Sequence, residues 1–258
     1  MFGLKNRRRR RARSRPTPAS WGEILWANVP AFQRLPQEDR LELIDHIKVF
    51  IEEKRFEGIN GQEITEEVRV TIAAQACMLL LHRDTDYYPR IRSILVYPER
   101  YVAPYKRQGP GGIVTEGTDT RLGEAWDSGY VVLSWCDVKR GGVEMHDGHN
   151  VVFHEFAHAL DAESGFVDGA PALEKRELFR PWARMLAHEL SDLRAASMRG
   201  LPTVLNKYGA QNEAEFFAVA TEAFFERPAA LRASNPEVYQ HLGEYYRQDP
   251  AAWADQIE

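Results

Sequence analysis

Residues 150–161 read NVVFHEFAHALD, an apolar helix carrying one stripe of ionisable groups. On a helical wheel at about 100° per residue, with His154 at 0°, His158 falls near 40°, Asp161 near 340° and Glu155 near 100°. Val152, Phe153, Phe156, Ala159 and Leu160 occupy the opposite arc, from about 140° to 260°. Asn150 suits the N-cap and Ser164-Gly165 supplies a stop. A helix this apolar is buried, and buried ionisable groups must be paired or bound to a metal. The rest of the chain must therefore fold around this stripe and supply its partners.

The stripe contains His154-Glu155-x-x-His158. The i, i+4 spacing separates the two imidazoles by one turn, about 6 Å along the axis, so both can reach one ion. Imidazole ligands favour zinc over magnesium or calcium. Glu155 lies beside the pair, placed to take a proton from a zinc-bound water and give it to a leaving amine. The competing reading is a helix whose histidines are satisfied in other ways.

The third ligand is less marked. After His158 the chain reads ALDAESGF, so no third histidine follows at metzincin spacing and a carboxylate remains the usual choice. Asp161, Glu163, Glu213, Glu215 and Glu222 are the candidates. Asp161 suits a role behind the ligands, bonding an imidazole N–H or nearby backbone. In 206–226, NKYGAQNEAEFFAVATEAFFE, Asn212 caps an apolar helix on which Glu215 and Glu222, seven apart, share a face. Glu215 could instead close a capping box, and Glu222 could serve an ordinary salt bridge.

The remainder reads as one ordinary globular unit. With 258 residues, 44% hydrophobic and 28% charged, the chain is neither disordered, collagen-like nor a disulfide scaffold. Cys77 and Cys136 cannot build a disulfide framework, which favours a reducing, cytoplasmic setting. Residues 1–15 hold eight basic and no acidic residues, leaving 25 basic against 38 acidic beyond them, a net of −13. An acidic body argues against nucleic-acid binding by the globular part. The arm, residues 1–20, is expected to be a disordered basic tail able to touch anionic lipid or nucleic acid, and no apolar stretch follows its arginines as a signal requires. The apolar run Cys77–Leu81 is too short to span a membrane.

Helices are expected over 36–55, 65–82, 150–162, 173–198, 213–226 and 235–247, and strands over 91–97 and 129–138, with a loop at 108–112. This pattern is α+β, with a helical part at 21–90 and a catalytic domain at 91–258, joined as one compact unit.

GEAWDSGYVVLSW, GHNVVFHEFAHALD and YGAQNEAEFFAVATEAFF together resemble the Mlc titration factor A family of bacterial zinc metallopeptidases. The resemblance implies a zincin-like core with a small mixed sheet, related to the lethal-factor type and extended by N- and C-terminal helices. It implies a gluzincin-like site in which His154, His158 and Glu215 bind one Zn2+, Glu155 is the general base and Tyr208 assists catalysis. A phenol at Tyr208 could donate to the oxyanion. The implied substrate is a peptide or unfolded segment, with aminopeptidase-type activity on small substrates. Family members are also linked to capturing Mlc, a glucose-responsive transcriptional repressor, so a regulatory binding role competes with peptidase activity. A zincin cleft pairs an edge strand with extended substrate, and Val131–Trp135 is the candidate. His146 and His149 read as loop residues, though His149 could help orient a substrate or ligand. A purely structural zinc site would want a fourth protein ligand, often cysteine, and both cysteines lie far from the motif.

Overall fold

The computed structural model describes residues 2–99, 103–108, 114–119 and 129–256. Four helices come first: α1 (Phe2–Arg13), α2 (Ser20–Asn28), α3 (Ala31–Arg34) and α4 (Gln37–Glu53). Strand β1 (Arg55–Gly58), α5 (Glu66–Met78) and β2 (Ser93–Tyr97) follow, then β3 (Ala103–Gln108), β4 (Val114–Asp119) and β5 (Tyr130–Ser134). The rest is helical: α6 (Trp135–Val143), α7 (Val151–Asp161), α8 (Phe179–Met198), α9 (Glu213–Glu226), α10 (Pro228–Ser234) and α11 (Pro236–Tyr246).

The protein is mostly helical around a small sheet. The expected mixed sheet resolves into two separate pieces. Strands β1, β2 and β5 form a parallel sheet in the order β1-β2-β5, while β3 and β4 pair as an antiparallel hairpin. The β1–β2 pair is parallel because α5 lies on the connection between them, as a parallel crossover requires. Phe56, Ile94, Val96, Val131 and Leu133 alternate onto one buried face. No helix among the described residues is long and apolar enough to cross a membrane.

Helix α7 runs through the core. Phe156 sits edge-on to Phe50 of α4 at 5.6 Å and to Tyr88 at 4.7 Å, and Phe153 meets Phe225 of α9 at 5.1 Å. The apolar arc of its wheel is thereby consumed, which leaves the polar stripe to face a cleft.

Several expected elements move. The strand expected over 129–138 ends at Ser134, whose hydroxyl accepts from Asp137 N at 3.2 Å and starts α6. A Ser N-cap with an acid three residues on overrides the β preference of Trp135 and Cys136. The strand expected over Val131–Trp135 is thus Tyr130–Ser134, at one edge of the described parallel sheet. The helix expected from 173 begins at Phe179, after a 3-10 turn at Arg176–Leu178. Residues 109–112 of the expected loop, and 123–128 of the GEAWDSG motif, lie outside the described residues.

The basic arm also differs from expectation. Residues Phe2–Arg13 are helical and lie on the body. Arg9 pairs with Glu53 at 2.6 Å and Asp86 at 2.8 Å, Lys5 with Asp86 at 2.6 Å, and Arg8 and Arg15 with Glu52. Ala12 is buried beneath them. Repulsion along the arm argues for disorder only while the arm is considered alone, and acids on the body offset it.

Close approach at Gly142 joins α6 to α2 and α5. A Cβ there would stand 2.3 Å from the Asn28 carbonyl oxygen and 2.9 Å from Gln75 Nε2. Gly142→Ala should cost about 1–3 kcal/mol through overpacking, read as a lower urea midpoint with an unchanged slope.

Candidate metal centre

The start of α7 is set by Asn150. Its Oδ1 accepts from Val152 N and Phe153 N, both at 3.0 Å. Its Nδ2 donates to Gln75 Oε1 at 2.9 Å and to the Gly141 carbonyl at 3.0 Å, and its backbone N–H donates to Glu222 Oε1 at 2.8 Å. One side chain therefore caps α7 and ties it to α5 and α6. The start of α9 is set the same way, by Asn212 Oδ1 accepting from Glu215 N at 2.9 Å.

Three ligand-type atoms converge above α7. Glu215 Oε2 lies 3.2 Å from His154 Nε2 and 3.4 Å from His158 Nε2, and the two nitrogens are 3.3 Å apart. A tetrahedral ion with bonds of 2.0–2.1 Å needs ligand atoms roughly 3.3 Å from one another. The residues therefore fit a metal such as zinc. Glu215 does not spend its carboxylate on a capping box but turns it to the histidines.

Glu222 faces the other side of the same imidazole, its Oε2 3.1 Å from His154 Nδ1. A carboxylate there holds the Nδ1–H, so that Nε2 is the nitrogen directed at the cleft, free to bind an ion once its own proton is displaced. In the sequence Glu222 stood open as a ligand or an ion-pair partner, because helical spacing shows a shared face but not which nitrogen each acid meets.

Charges follow from this geometry. Burial alone would lower His154, but Glu215 and Glu222 outweigh it and lift it to about 10. Burial lowers His158 to about 4, with repulsion from His154 in the same direction. Burial works against ionised Glu215, yet the two imidazoles hold it at about 2. Glu155 is fully buried, and neither oxygen has a hydrogen-bond partner among the described residues. Burial pushes its carboxyl well above the usual range, with His154 opposing. Glu155 lies close enough to His154, Glu215 and Glu222 to feel their charges, but it is not on the cleft wall.

The cleft has a volume of about 590 Å³, with His154, His158 and Glu215 at its base. Tyr208 overhangs it on a 3-10 turn, Lys207–Ala210, with its ring centre 6.0 Å from that of His154. Asn206 Oδ1 accepts from Tyr208 N at 2.9 Å. Gly209 lets the turn settle on α9, since a Cβ there would meet Val219 Cγ2 at 2.4 Å. His149 also lines the cleft, its Nδ1 3.2 Å from Asn206 Nδ2, and Asp137 and Arg140 of α6 complete one wall. Asn206, Asp137 and Arg140 carry no motif that marks them in the sequence.

The other candidates stand apart from the imidazoles. Asp161 Oδ2 accepts from Gly169 N at 2.8 Å, and burial raises its carboxyl to about 7. Glu213 is exposed and Glu163 packs near Arg83. His146 contacts Arg34 at 3.4 Å. A second cluster, Asp39, Glu42 and His82, sits at the surface. There the two ring nitrogens face different carboxylates, at 3.3 and 3.4 Å, which makes it an ion-pair bracket.

Glu222→Gln should weaken zinc about 10- to 100-fold while leaving a folded protein, measured by competition with a chelating dye. A pH dependence follows from the same charges. Between pH 6 and 8 the metal-free site carries one displaceable proton, on His154, because His158 and Glu215 have already lost theirs. Apparent zinc affinity should therefore rise about tenfold per pH unit in that window, with about one proton released per ion by calorimetry in buffers of different ionisation enthalpy.

Comparison with known proteins bears on the same site. The sequence model described as glucose-regulated metallo-peptidase M90 matches residues 4–247. The uncharacterized protein slr2042 of Synechocystis sp. is 40% identical over 237 residues, spanning 92% of this chain and 86% of that protein. Mlc titration factor A of Yersinia pestis (strain Pestoides F) and of Yersinia pseudotuberculosis serotype O:3 (strain YPIII) are each 30% identical over 239 residues, spanning 91% of this chain and 86% of theirs. The family implies a metal, usually zinc, and the chain belongs to the glucose-regulated metallo-peptidase family M90.

Proposed function

We propose that the protein is a zinc-dependent peptidase of the gluzincin type, with His154, His158 and Glu215 as its protein ligands. The observation that supports this most is the triangle of two Nε2 atoms and one Oε2 with sides of 3.2–3.4 Å. Zinc bound there would polarise a scissile carbonyl and acidify the attacking water.

The chain's own groups then divide the work. Glu155 takes the proton from the attacking water and passes it to the leaving nitrogen. Burial raises its carboxyl, and the charge of an ion held by His154, His158 and Glu215 would bring it back down toward the range of a base. Glu222 keeps His154 in one tautomer throughout. The Tyr208 hydroxyl donates to the oxyanion that develops on the scissile carbonyl, and its ring closes one side of the cleft. An extended peptide lies in the cleft between α6 and the Asn206–Tyr208 turn. The preference for aminopeptidase-type substrates rests on the family resemblance alone.

A regulatory reading has one specific support, the name of the Yersinia relatives, Mlc titration factor A. In that reading the chain also binds a repressor of the Mlc type, with hydrolysis secondary.

A panel of fluorogenic peptides with zinc-loaded protein tests the first reading. Wild type should hydrolyse part of the panel, and Glu155→Gln should lose at least about a thousandfold in kcat while keeping one zinc per chain. Undiminished turnover by Glu155→Gln would remove Glu155 as the base. No turnover by zinc-loaded wild type would leave the binding role as the better reading. Tyr208→Phe should lower kcat by roughly 10- to 1000-fold with little change in KM.

A further inference from the structure

Helix α1 has two charged faces, and the body accounts for one of them. On a wheel with the buried Ala12 at 0°, Lys5, Arg8, Arg9 and Arg13 fall between about 320° and 100°. That arc meets the body. Lys5 and Arg9 pair with Asp86, Arg9 with Glu53 and Arg8 with Glu52, while Arg13 donates to the Tyr87 hydroxyl at 2.9 Å. Arg7, Arg10, Arg11 and Leu4 fall on the other arc, between about 160° and 280°. All four are exposed, Leu4 by 75%. The three arginines have no hydrogen-bond or ion-pair partner among the described residues.

Residues 1–15 thus bring eight cations, and three acids pair with them, an excess of five positive charges along one helix and its end. The acidic charge of the body offsets this little from a distance, because exposed charges more than about 10 Å apart are largely screened at physiological salt.

The outward arc runs into a recess of about 430 Å³. It is lined by Leu4, Lys5 and Arg8 of α1 and by Pro89 and the exposed Arg92 of the segment before β2. Lys54 Nζ donates to the carbonyls of Tyr88 and Ile91 at 2.7 and 2.6 Å, which holds that segment in place. The acids that reach the recess, Glu53 and Asp86, are the ones already paired with Arg9 and Lys5.

We propose that this face of α1 adsorbs to the surface of an anionic lipid bilayer, with the helix lying in the membrane plane. Arg7, Arg10 and Arg11 meet lipid phosphates, Leu4 enters the acyl boundary, and a headgroup sits in the recess with Arg8 and Arg92. A nucleic acid would satisfy the cations equally well. It would leave Leu4 unused, and residues 4, 7, 10 and 11 include no aromatic ring on which a base could stack. A bilayer uses both parts, because cations gain from anionic headgroups and an apolar side chain gains from the acyl layer. One leucine and a few unbalanced cations give reversible adsorption, not anchoring.

The test is flotation of the full chain with vesicles of phosphatidylcholine, alone or with about 30% phosphatidylglycerol. The protein should float with the mixed vesicles at low salt, stay behind with phosphatidylcholine alone, and come off the mixed vesicles by about 0.5 M NaCl. Arg7, Arg10 and Arg11 have no partner on the body, so replacing all three (Arg7→Gln, Arg10→Gln, Arg11→Gln) should leave the thermal melt unchanged. The same variant should bind on the order of 100-fold more weakly, at about fivefold per arginine. Leu4→Asn should weaken vesicle binding at least about threefold. Four results would overturn the proposal: no flotation of wild type with anionic vesicles, wild-type flotation by the triple variant, wild-type flotation by Leu4→Asn, or tighter binding to duplex DNA than to the vesicles, which would assign the face to nucleic acid.

Discussion

Glu222 bonds the backbone N–H of Asn150 through one oxygen and faces His154 Nδ1 through the other. Through that one carboxylate, the position of α9 fixes both where α7 begins and how its first histidine is turned. Asn150 spends its remaining hydrogen bonds on α5 and α6 and on its own helix. Four helices thus meet at a buried junction built on these hydrogen bonds, so each must be in place for the next to be. The metal triangle sits one turn above this junction and inherits its rigidity. Such supports matter because a ligand set is useful only when its rotamers are held by packing and hydrogen bonds behind it.

The same helix supplies several parts of the cleft. Glu215, Val219 and Glu222 recur at intervals of four and three along one face of α9. The first meets the imidazoles, the second seats the Tyr208 turn against Gly209, and the third orients His154. These parts keep their relative positions if α9 shifts as a body. A rotation about its axis would disturb all three together.

Much of this was legible because it is local. The wheel of 150–161 shows the polar stripe and the apolar arc that packs on Phe50, Tyr88 and Phe225. Asn150 and Asn212 are readable as caps, and α9 spans Glu213–Glu226 as its apolar pattern suggests. Less legible was whatever depends on distant partners. The arm is helical because Glu52, Glu53 and Asp86 receive its arginines, and no pattern within residues 1–15 reveals them. The strand expected through residue 138 stops at Ser134 because a cap outweighs β preference there, a contest that propensity alone does not decide. Asn206 and Arg140 reach the cleft through loops and helix packing that carry no periodic signal.

The metal triangle joins residues from two remote stretches of chain, since 57 positions separate His158 from Glu215. The histidines share one helical turn and can meet as soon as α7 forms. Glu215 and Glu222 arrive only after α8 and the start of α9 have been made. At about 5–20 residues per second, a growing chain spends on the order of 3–11 s with the imidazole pair made and the carboxylates still absent. Under the proposed ligand set, an ion captured in that interval would have two protein ligands and would exchange freely. Retention would begin only when the C-terminal helices dock, so metal loading at this site would mark completion of the fold rather than its start.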